Sequence, residues 1–145
     1  MRWLVLATIL LCAPPLVCYA QEPQSVVDRF YPEGLASSRP QDRHSCFLVL
    51  RLTSIGEPDA IAAGYTDASK AVLRLLTRVA PDIYVVSYEA PVSMDMKDGT
   101  CRMSGRDVDG NGQPDVVLQL SSGSESSQLL FKWTGDTLIP LPLVR

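Results

Sequence analysis

The chain repeats one short pattern, a Gly-polar-Pro-Asp turn that leads into an apolar stretch. The pattern occupies residues 56–62 and returns at residues 112–118, an offset of 56. A fixed internal period is typical of chains built from repeated structural units. With a one-residue slip, residues 72–76 also align with residues 129–133. The repeat therefore predicts two copies of one small unit.

Short apolar stretches recur between turn signals from residue 46 to the end of the chain, a spacing typical of a meandering antiparallel β protein. Residues 67–79 also keep the period of about 3.6 expected of a helix. The second copy favours a strand there, because it reads as two strands around a Gly135-Asp136 turn. The predicted strands are 46–53, 59–65, 71–76, 83–89, 101–104, 116–120, 128–133 and 137–141.

Two segments are predicted to lie outside the strands. Residues 24–35 place apolar side chains on one helical face, which predicts one short amphipathic helix that ends at Pro32. The polar run 121–127, with five serines, predicts a flexible surface loop that corresponds to residues 66–70 of the first copy.

The N-terminus has the pattern of a secretory signal peptide. Arg2 precedes an uncharged apolar run, and a small residue, Ala20, precedes a polar segment. Pro14 and Pro15 interrupt a run that is shorter than the roughly 20 apolar residues a bilayer requires. We therefore expect cleavage after Ala20, a secreted or periplasmic location, and no membrane span in the mature chain.

Charge argues against one large class of partner. The 145 residues carry 13 basic and 16 acidic side chains, a formal net charge of -3, and the basic residues are scattered singly. Nucleic-acid binding leaves a basic patch or stripe. We therefore expect no nucleic-acid partner.

Two cysteines, Cys46 and Cys101, remain after removal of the signal peptide. An oxidising compartment favours one disulfide between them. A structural zinc site is the weaker interpretation, because it needs four ligands at close spacing and His44 is the sole histidine.

The segment 107–115 places oxygen-bearing side chains at the regular spacing of a cation-binding loop. Side-chain oxygens stand at positions 1, 3, 5 and 9 of the loop, and position 7 offers a backbone carbonyl. Calcium takes six to eight oxygen ligands, and glycines let a short loop curl around it. Without a cation, the clustered carboxylates should raise one another's pKa values. The predicted calcium ligands are Asp107, Asp109, Asn111, the Gln113 carbonyl and Asp115.

An EF-hand loop begins in the same way but departs from this sequence at its end. Position 12 of an EF-hand loop is a bidentate Glu, whereas here it is Leu118. Residues 116–120 also favour a strand, where an EF-hand continues as a helix. The loop is therefore not predicted to be an EF-hand.

Residues 107–141, an aspartate-rich loop followed by strands, resemble the FG-GAP or VCBS type of repeat. The resemblance implies modules like β-propeller blades and a calcium ion in the loop. The first copy departs from the family pattern: Arg51, Thr53 and Ile55 stand opposite Asp107, Asp109 and Asn111. Of the acidic ligand positions, only that of Asp115 is also acidic in the first copy, as Asp59. The first copy should therefore bind no calcium, and Arg51 should supply positive charge where the second copy has the metal. Two repeats are also too few for a propeller of four to eight blades.

The predicted fold class is mainly β, with two repeated antiparallel β-sheet modules that are like propeller blades and one short N-terminal helix. The predicted organisation is a signal peptide (1–20), a helix and linker (21–44), a degenerate first repeat (45–92) and a calcium-binding second repeat (93–145).

We expect a secreted, calcium-stabilised module with a binding or scaffold role and no catalytic activity. The alternative is a small secreted hydrolase that uses the calcium to position its substrate. A protein or carbohydrate ligand and self-association are both open. Nothing in the sequence marks Asp95 and Asp98 as the paired catalytic carboxylates of a glycosidase. At least half of the aromatic residues Tyr84, Tyr88, Phe131 and Trp133 are expected in the core.

Overall fold

The computed structural model describes residues 22–35, 40–54, 56–67, 70–92 and 99–142. One α-helix, α1 (Pro23–Arg29), and two 3₁₀ turns, Glu33–Leu35 and Pro40–Asp42, precede eight strands. The strands are β1 (Arg43–Ser54), β2 (Glu57–Asp67), β3 (Lys70–Ala80), β4 (Ile83–Val92), β5 (Thr100–Arg106), β6 (Asp115–Ser122), β7 (Glu125–Trp133) and β8 (Leu138–Leu141).

The strands form two four-stranded antiparallel sheets in simple chain order. The first sheet has the order β1-β2-β3-β4 and the second has the order β5-β6-β7-β8. The predicted fold class, mainly β with two repeated sheet modules and one short helix, is confirmed. Each predicted strand is present, and the helical alternative for residues 67–79 is wrong because β3 spans most of that segment.

The N-terminal helix is shorter than the predicted segment 24–35. Proline at the start of α1 has the backbone φ angle of a helix, and its missing N–H is not needed there. Val26 and Val27 are fully buried against the outer face of the first sheet. The Tyr65 hydroxyl donates a 2.9 Å hydrogen bond to the Val27 carbonyl, which fixes the helix on the sheet.

The predicted flexible loop at residues 121–127 is wrong. β6 continues to Ser122 and β7 begins at Glu125, so only Gly123 and Ser124 remain as a turn. Gly123 has a φ of +57°, which suits the tight two-residue connections of β-hairpins. Four of the five serines are therefore strand residues, and these four are half-buried or exposed.

The two sheets pack face to face around a shared apolar core. Because side chains alternate along a strand, Ala60 and Ala62 of β2 point toward the second sheet, where Leu118 and Leu120 of β6 meet them. The alanines of β2 thus share this core with larger side chains from both sheets, among them Leu73 and Leu75 of β3. With the offset of 56, Ala60 and Ala62 correspond to Val116 and Leu118, which lie in the same core, so the same face of each module meets the other.

The disulfide Cys46–Cys101 joins the modules at equivalent positions and confirms the predicted pairing. Cys46 is opposite Gly64, five residues after Asp59, and Cys101 is opposite Leu120, five residues after Asp115. The two Cα atoms are 5.7 Å apart. The modules therefore form a β-sandwich in which equivalent faces share the core.

The strand register corrects one part of the repeat alignment. Thr77 is opposite Ala60, and Phe131 is opposite Val116. Thr77 and Phe131 are thus equivalent, an offset of 54 rather than the 57 that the sequence alignment gave for residues 72–76. As a consequence, Arg78 and Lys132 occupy equivalent places beside the aspartates that precede Ala60 and Val116.

Candidate metal centre

The aspartate-rich segment connects β5 to β6 at one end of the second sheet. Gly110 and Gly112 have φ angles of +73° and +83°, and no atom lies near the position of a Cβ at either residue. L-residues with side chains are strained in this conformation, whereas glycine is not. The two glycines therefore allow the chain to curl within a few residues, as the sequence predicts.

Three carboxylates converge in this loop. Each of Asp107, Asp109 and Asp115 offers one oxygen that lies within 4.8 Å of the oxygens of the other two. Asp107 and Asp109 are exposed to solvent, whereas Asp115 is 1 % exposed at the start of β6. Three of the five predicted ligand residues are therefore brought together.

Backbone N–H groups hold the Asp107 carboxylate in place. Its Oδ1 accepts hydrogen bonds from the N–H groups of Gly110 and Asn111 at 2.8 and 3.1 Å. Its Oδ2 accepts one from Gly112 at 2.9 Å. The first residue of the loop thus organises the loop that follows it.

Asp115 ties the loop to the sheet. Its Oδ2 accepts a hydrogen bond from Val108 N–H at 3.0 Å, and its Oδ1 accepts one from Trp133 N–H on β7 at 3.2 Å. Because these N–H groups fix both oxygens, the buried carboxylate has a defined orientation toward the cluster. A cation held here would be linked through Asp115 to the core of the second sheet.

The other two predicted ligands, Asn111 and Gln113, interact with each other. Asn111 Oδ1 accepts a 2.8 Å hydrogen bond from Gln113 N–H, and Asn111 Nδ2 donates to Asp109 Oδ2 at 3.3 Å. Both residues are exposed. Their role as ligands, through the Asn111 side chain and the Gln113 carbonyl, stays a prediction.

A lysine from the neighbouring hairpin strand enters the site, and sequence reasoning missed it. Lys132 of β7 donates a hydrogen bond to Asp109 Oδ2 and forms an ion pair with it. This contact lowers the pKa of Asp109 and raises the pKa of Lys132. The expectation that like charges would raise the pKa of Asp109 is therefore wrong. A correct β6–β7 register would have placed Lys132 beside Asp115.

The equivalent end of the first sheet contains arginines. Arg51 Nε lies 3.3 Å from Asp59 Oδ2, and Arg78 donates to Asp59 Oδ1 at 2.9 Å. Arg78 also pairs with Glu57. A 2.7 Å hydrogen bond from Thr53 and the contact with Arg78 lower the pKa of Asp59. Two guanidinium groups thus surround the retained aspartate, one of them the predicted Arg51.

Three of the four aromatic candidates, Tyr84, Phe131 and Trp133, are buried, so at least half of them lie in the core as predicted. Tyr88 is half-buried and packs against the core between the sheets. Asp95 and Asp98 lie outside the described residues.

Comparisons with known proteins do not assign this chain to a family. No protein-family model matches it, and no curated protein or solved structure matches it either. In the part of the chain that the structure describes, no helix is long and apolar enough to cross a lipid bilayer. The predicted signal peptide, residues 1–20, lies outside that part.

Proposed function

We propose that this chain is an exported β module that calcium stabilises, with a role in binding or as a scaffold. The observation that carries the proposal is the convergence of the Asp107, Asp109 and Asp115 oxygens within 4.8 Å. Calcium is a hard cation that prefers oxygen ligands and accepts flexible geometry. The donor set here consists of oxygens alone, on a loop whose glycines permit a tight curl.

The residues that would hold the ion are the five oxygen donors of the loop. Asn111 and the Gln113 carbonyl would complete the shell begun by the three carboxylates, and water would supply the remaining positions. At free calcium a hundredfold above the dissociation constant, binding to the folded state alone adds about 2.7 kcal/mol to the free energy of unfolding. That contribution is a large share of the total for a small domain, about 5–15 kcal/mol.

A structural role for the ion is favoured over a catalytic one by the position of Asp115. This residue is buried, and both of its oxygens already accept backbone hydrogen bonds. A cation bound to it would hold the β5–β6 loop against β7. On this proposal each sheet is one FG-GAP-like repeat. Calcium would stabilise the second repeat, and the ion pairs of Asp59 with Arg51 and Arg78 would stabilise the first repeat in its place.

Export is the second part of the proposal. The disulfide supports an oxidising compartment, because thiols in the cytosol are kept reduced. The prediction is that the protein recovered from the extracytoplasmic fraction begins at Gln21. Intact mass spectrometry of that fraction measures the N-terminus, and a mass that includes residues 1–20 would contradict the proposal.

Thermal unfolding in excess calcium and then in chelator tests the ion site. We expect calcium to raise the melting temperature by on the order of 10 °C when it is in large excess over the dissociation constant. Asp109→Ala should abolish that rise. Asp136→Ala is the matched control, because Asp136 is an exposed aspartate in another turn. Equal melting of the native protein in both buffers would refute the calcium site.

A further inference from the structure

Lys132 is the resident cation of the carboxylate cluster. Its ammonium group contacts Asp109 Oδ2. An Asp115 oxygen lies within 4.8 Å of an Asp109 oxygen in the same cluster. The two partners of the ion pair are each about one-third exposed, with side-chain exposures of 38 % for Lys132 and 32 % for Asp109. The ammonium therefore sits where it partly neutralises the same oxygens that a divalent cation would use.

The first sheet carries its own cation in the equivalent place. Arg78 follows Thr77, which is opposite Ala60, and Lys132 follows Phe131, which is opposite Val116. Each cation belongs to the third strand of its sheet and contacts an aspartate at the same end of the module. In the first sheet a second guanidinium, that of Arg51, joins Arg78 on Asp59. In the second sheet, Lys132 forms an ion pair with one of the three carboxylates, that of Asp109.

We infer that Lys132 competes with the divalent cation for Asp109 and so sets the affinity of the loop. This inference rests on the proposed calcium site. An ammonium group and a divalent ion repel each other, and both require the same carboxylate oxygens. Binding of the metal would move Lys132 away from Asp109, and removal of the metal would let it return. The loop thus has a counter-cation in both states.

This exchange has two consequences. First, the aspartate-rich loop keeps a charge partner when calcium is absent, so the apo protein avoids much of the repulsion between its carboxylates. Second, calcium must displace an existing ion pair, which weakens its apparent affinity. An ion pair between partly exposed groups typically changes an equilibrium by about two- to fivefold. Removing the competitor should therefore tighten calcium binding by about two- to fivefold.

The first experiment is calcium titration of the oxidised protein and of two variants by isothermal calorimetry. Lys132→Gln removes the ammonium group but keeps a polar chain at a half-buried position of β7. We expect it to bind calcium about two- to fivefold more tightly than the native protein. Lys70→Gln is the matched control, because Lys70 is an exposed strand lysine whose charge is removed in the same way. Its dissociation constant should equal that of the native protein.

The second experiment observes the amine directly and needs no variant. The chain contains three lysines, Lys70, Lys97 and Lys132. With lysine labelled at Cε, we expect calcium to shift the Lys132 resonance strongly and to leave the Lys70 resonance in place. Loss of the Lys132 signal in Lys132→Gln assigns it. An unchanged Lys132 resonance in calcium-saturated protein would overturn the displacement.

The outcomes separate this inference from the calcium site itself. If the native protein and Lys132→Gln bind calcium with equal dissociation constants, the site stands and the competition is refuted. If neither binds calcium at millimolar concentration, the proposed ion site fails and the inference falls with it. Tighter binding in Lys132→Gln with an unchanged Lys70→Gln would support both.

Discussion

Gly64→Ala tests the close contact between the two sheets. Gly64 lies on the inner face of β2, opposite Cys46 in the strand register. Its φ angle is not positive, so the backbone itself would accept alanine. A Cβ placed there would lie 2.9 Å from Cys46 Sγ, 3.0 Å from Leu118 Cδ1 and 3.3 Å from Met103 Cε. The disulfide to Cys101 prevents the nearest of these atoms from moving freely.

Two opposing effects decide the sign of the change. Alanine in place of glycine, where space allows it, stabilises a protein by about 0.4–1 kcal/mol because the unfolded chain loses freedom. Extra volume in a close-packed core costs about 1–3 kcal/mol. Since three separate groups would have to shift to admit the Cβ, overpacking should prevail. We expect Gly64→Ala to lower the free energy of unfolding by about 1–2 kcal/mol.

Urea denaturation followed by Trp133 fluorescence measures this cost, because that residue is buried between the sheets. Gly34→Ala is the matched control, since nothing lies within 4 Å of a Cβ at Gly34. It should be neutral or slightly stabilising. In a Leu118→Val background, which removes one close contact, Gly64→Ala should cost at least about 0.5 kcal/mol less. A Gly64→Ala variant as stable as the native protein would refute the packing argument.

Two further predictions concern the disulfide and pH. The Cys46–Cys101 bridge spans 55 residues. The chain-entropy model predicts that the double substitution Cys46→Ser and Cys101→Ser lowers the free energy of unfolding by about 4 kcal/mol. Urea midpoints of the disulfide-bonded native protein and of the double variant measure the change, and equal midpoints would contradict it. Because Thr53 and Arg78 lower the pKa of folded Asp59, this carboxylate stabilises the protein above its unfolded pKa of about 3.9, and the stabilisation disappears as pH falls through the folded value. Below about pH 4 the melting temperature of the native protein should therefore fall more steeply than that of Asp59→Asn, and parallel curves would show that Asp59 makes no such contribution.

Local sequence determined most of the secondary structure and the centre of the candidate site. Alternating apolar residues between turn signals predicted the eight strands, since a strand and its turns are selected largely by neighbouring residues. The loop with Asp107, Asp109 and Asp115 was also predictable, because the spacing of its carboxylates and the two glycines lie within one short segment. The disulfide followed from a count, as only two cysteines remain after residue 20.

Composition gave a wrong prediction for one segment whose structure depends on strand pairing. The serine-rich run 121–127 has the composition of a loop, yet most of it lies in β6 and β7. Pairing Ser121 with Ser126 satisfies the backbone of both strands, and the outer surface of a sheet tolerates hydroxyl groups. The backbone hydrogen bonds of a hairpin depend on the whole strand pair, which side-chain polarity does not report.

The sequence by itself determined that there are two similar β units, one aspartate-rich loop and one cysteine pair. Only the tertiary structure decided which faces of the units meet and which cations reach the aspartates. Arg78 and Lys132 lie 19 and 17 residues from Asp59 and Asp115, and strand register alone brings them close. A one-residue slip in register would turn each cation to the opposite face. The charge balance of both sites therefore follows from long-range pairing, which a local motif does not specify.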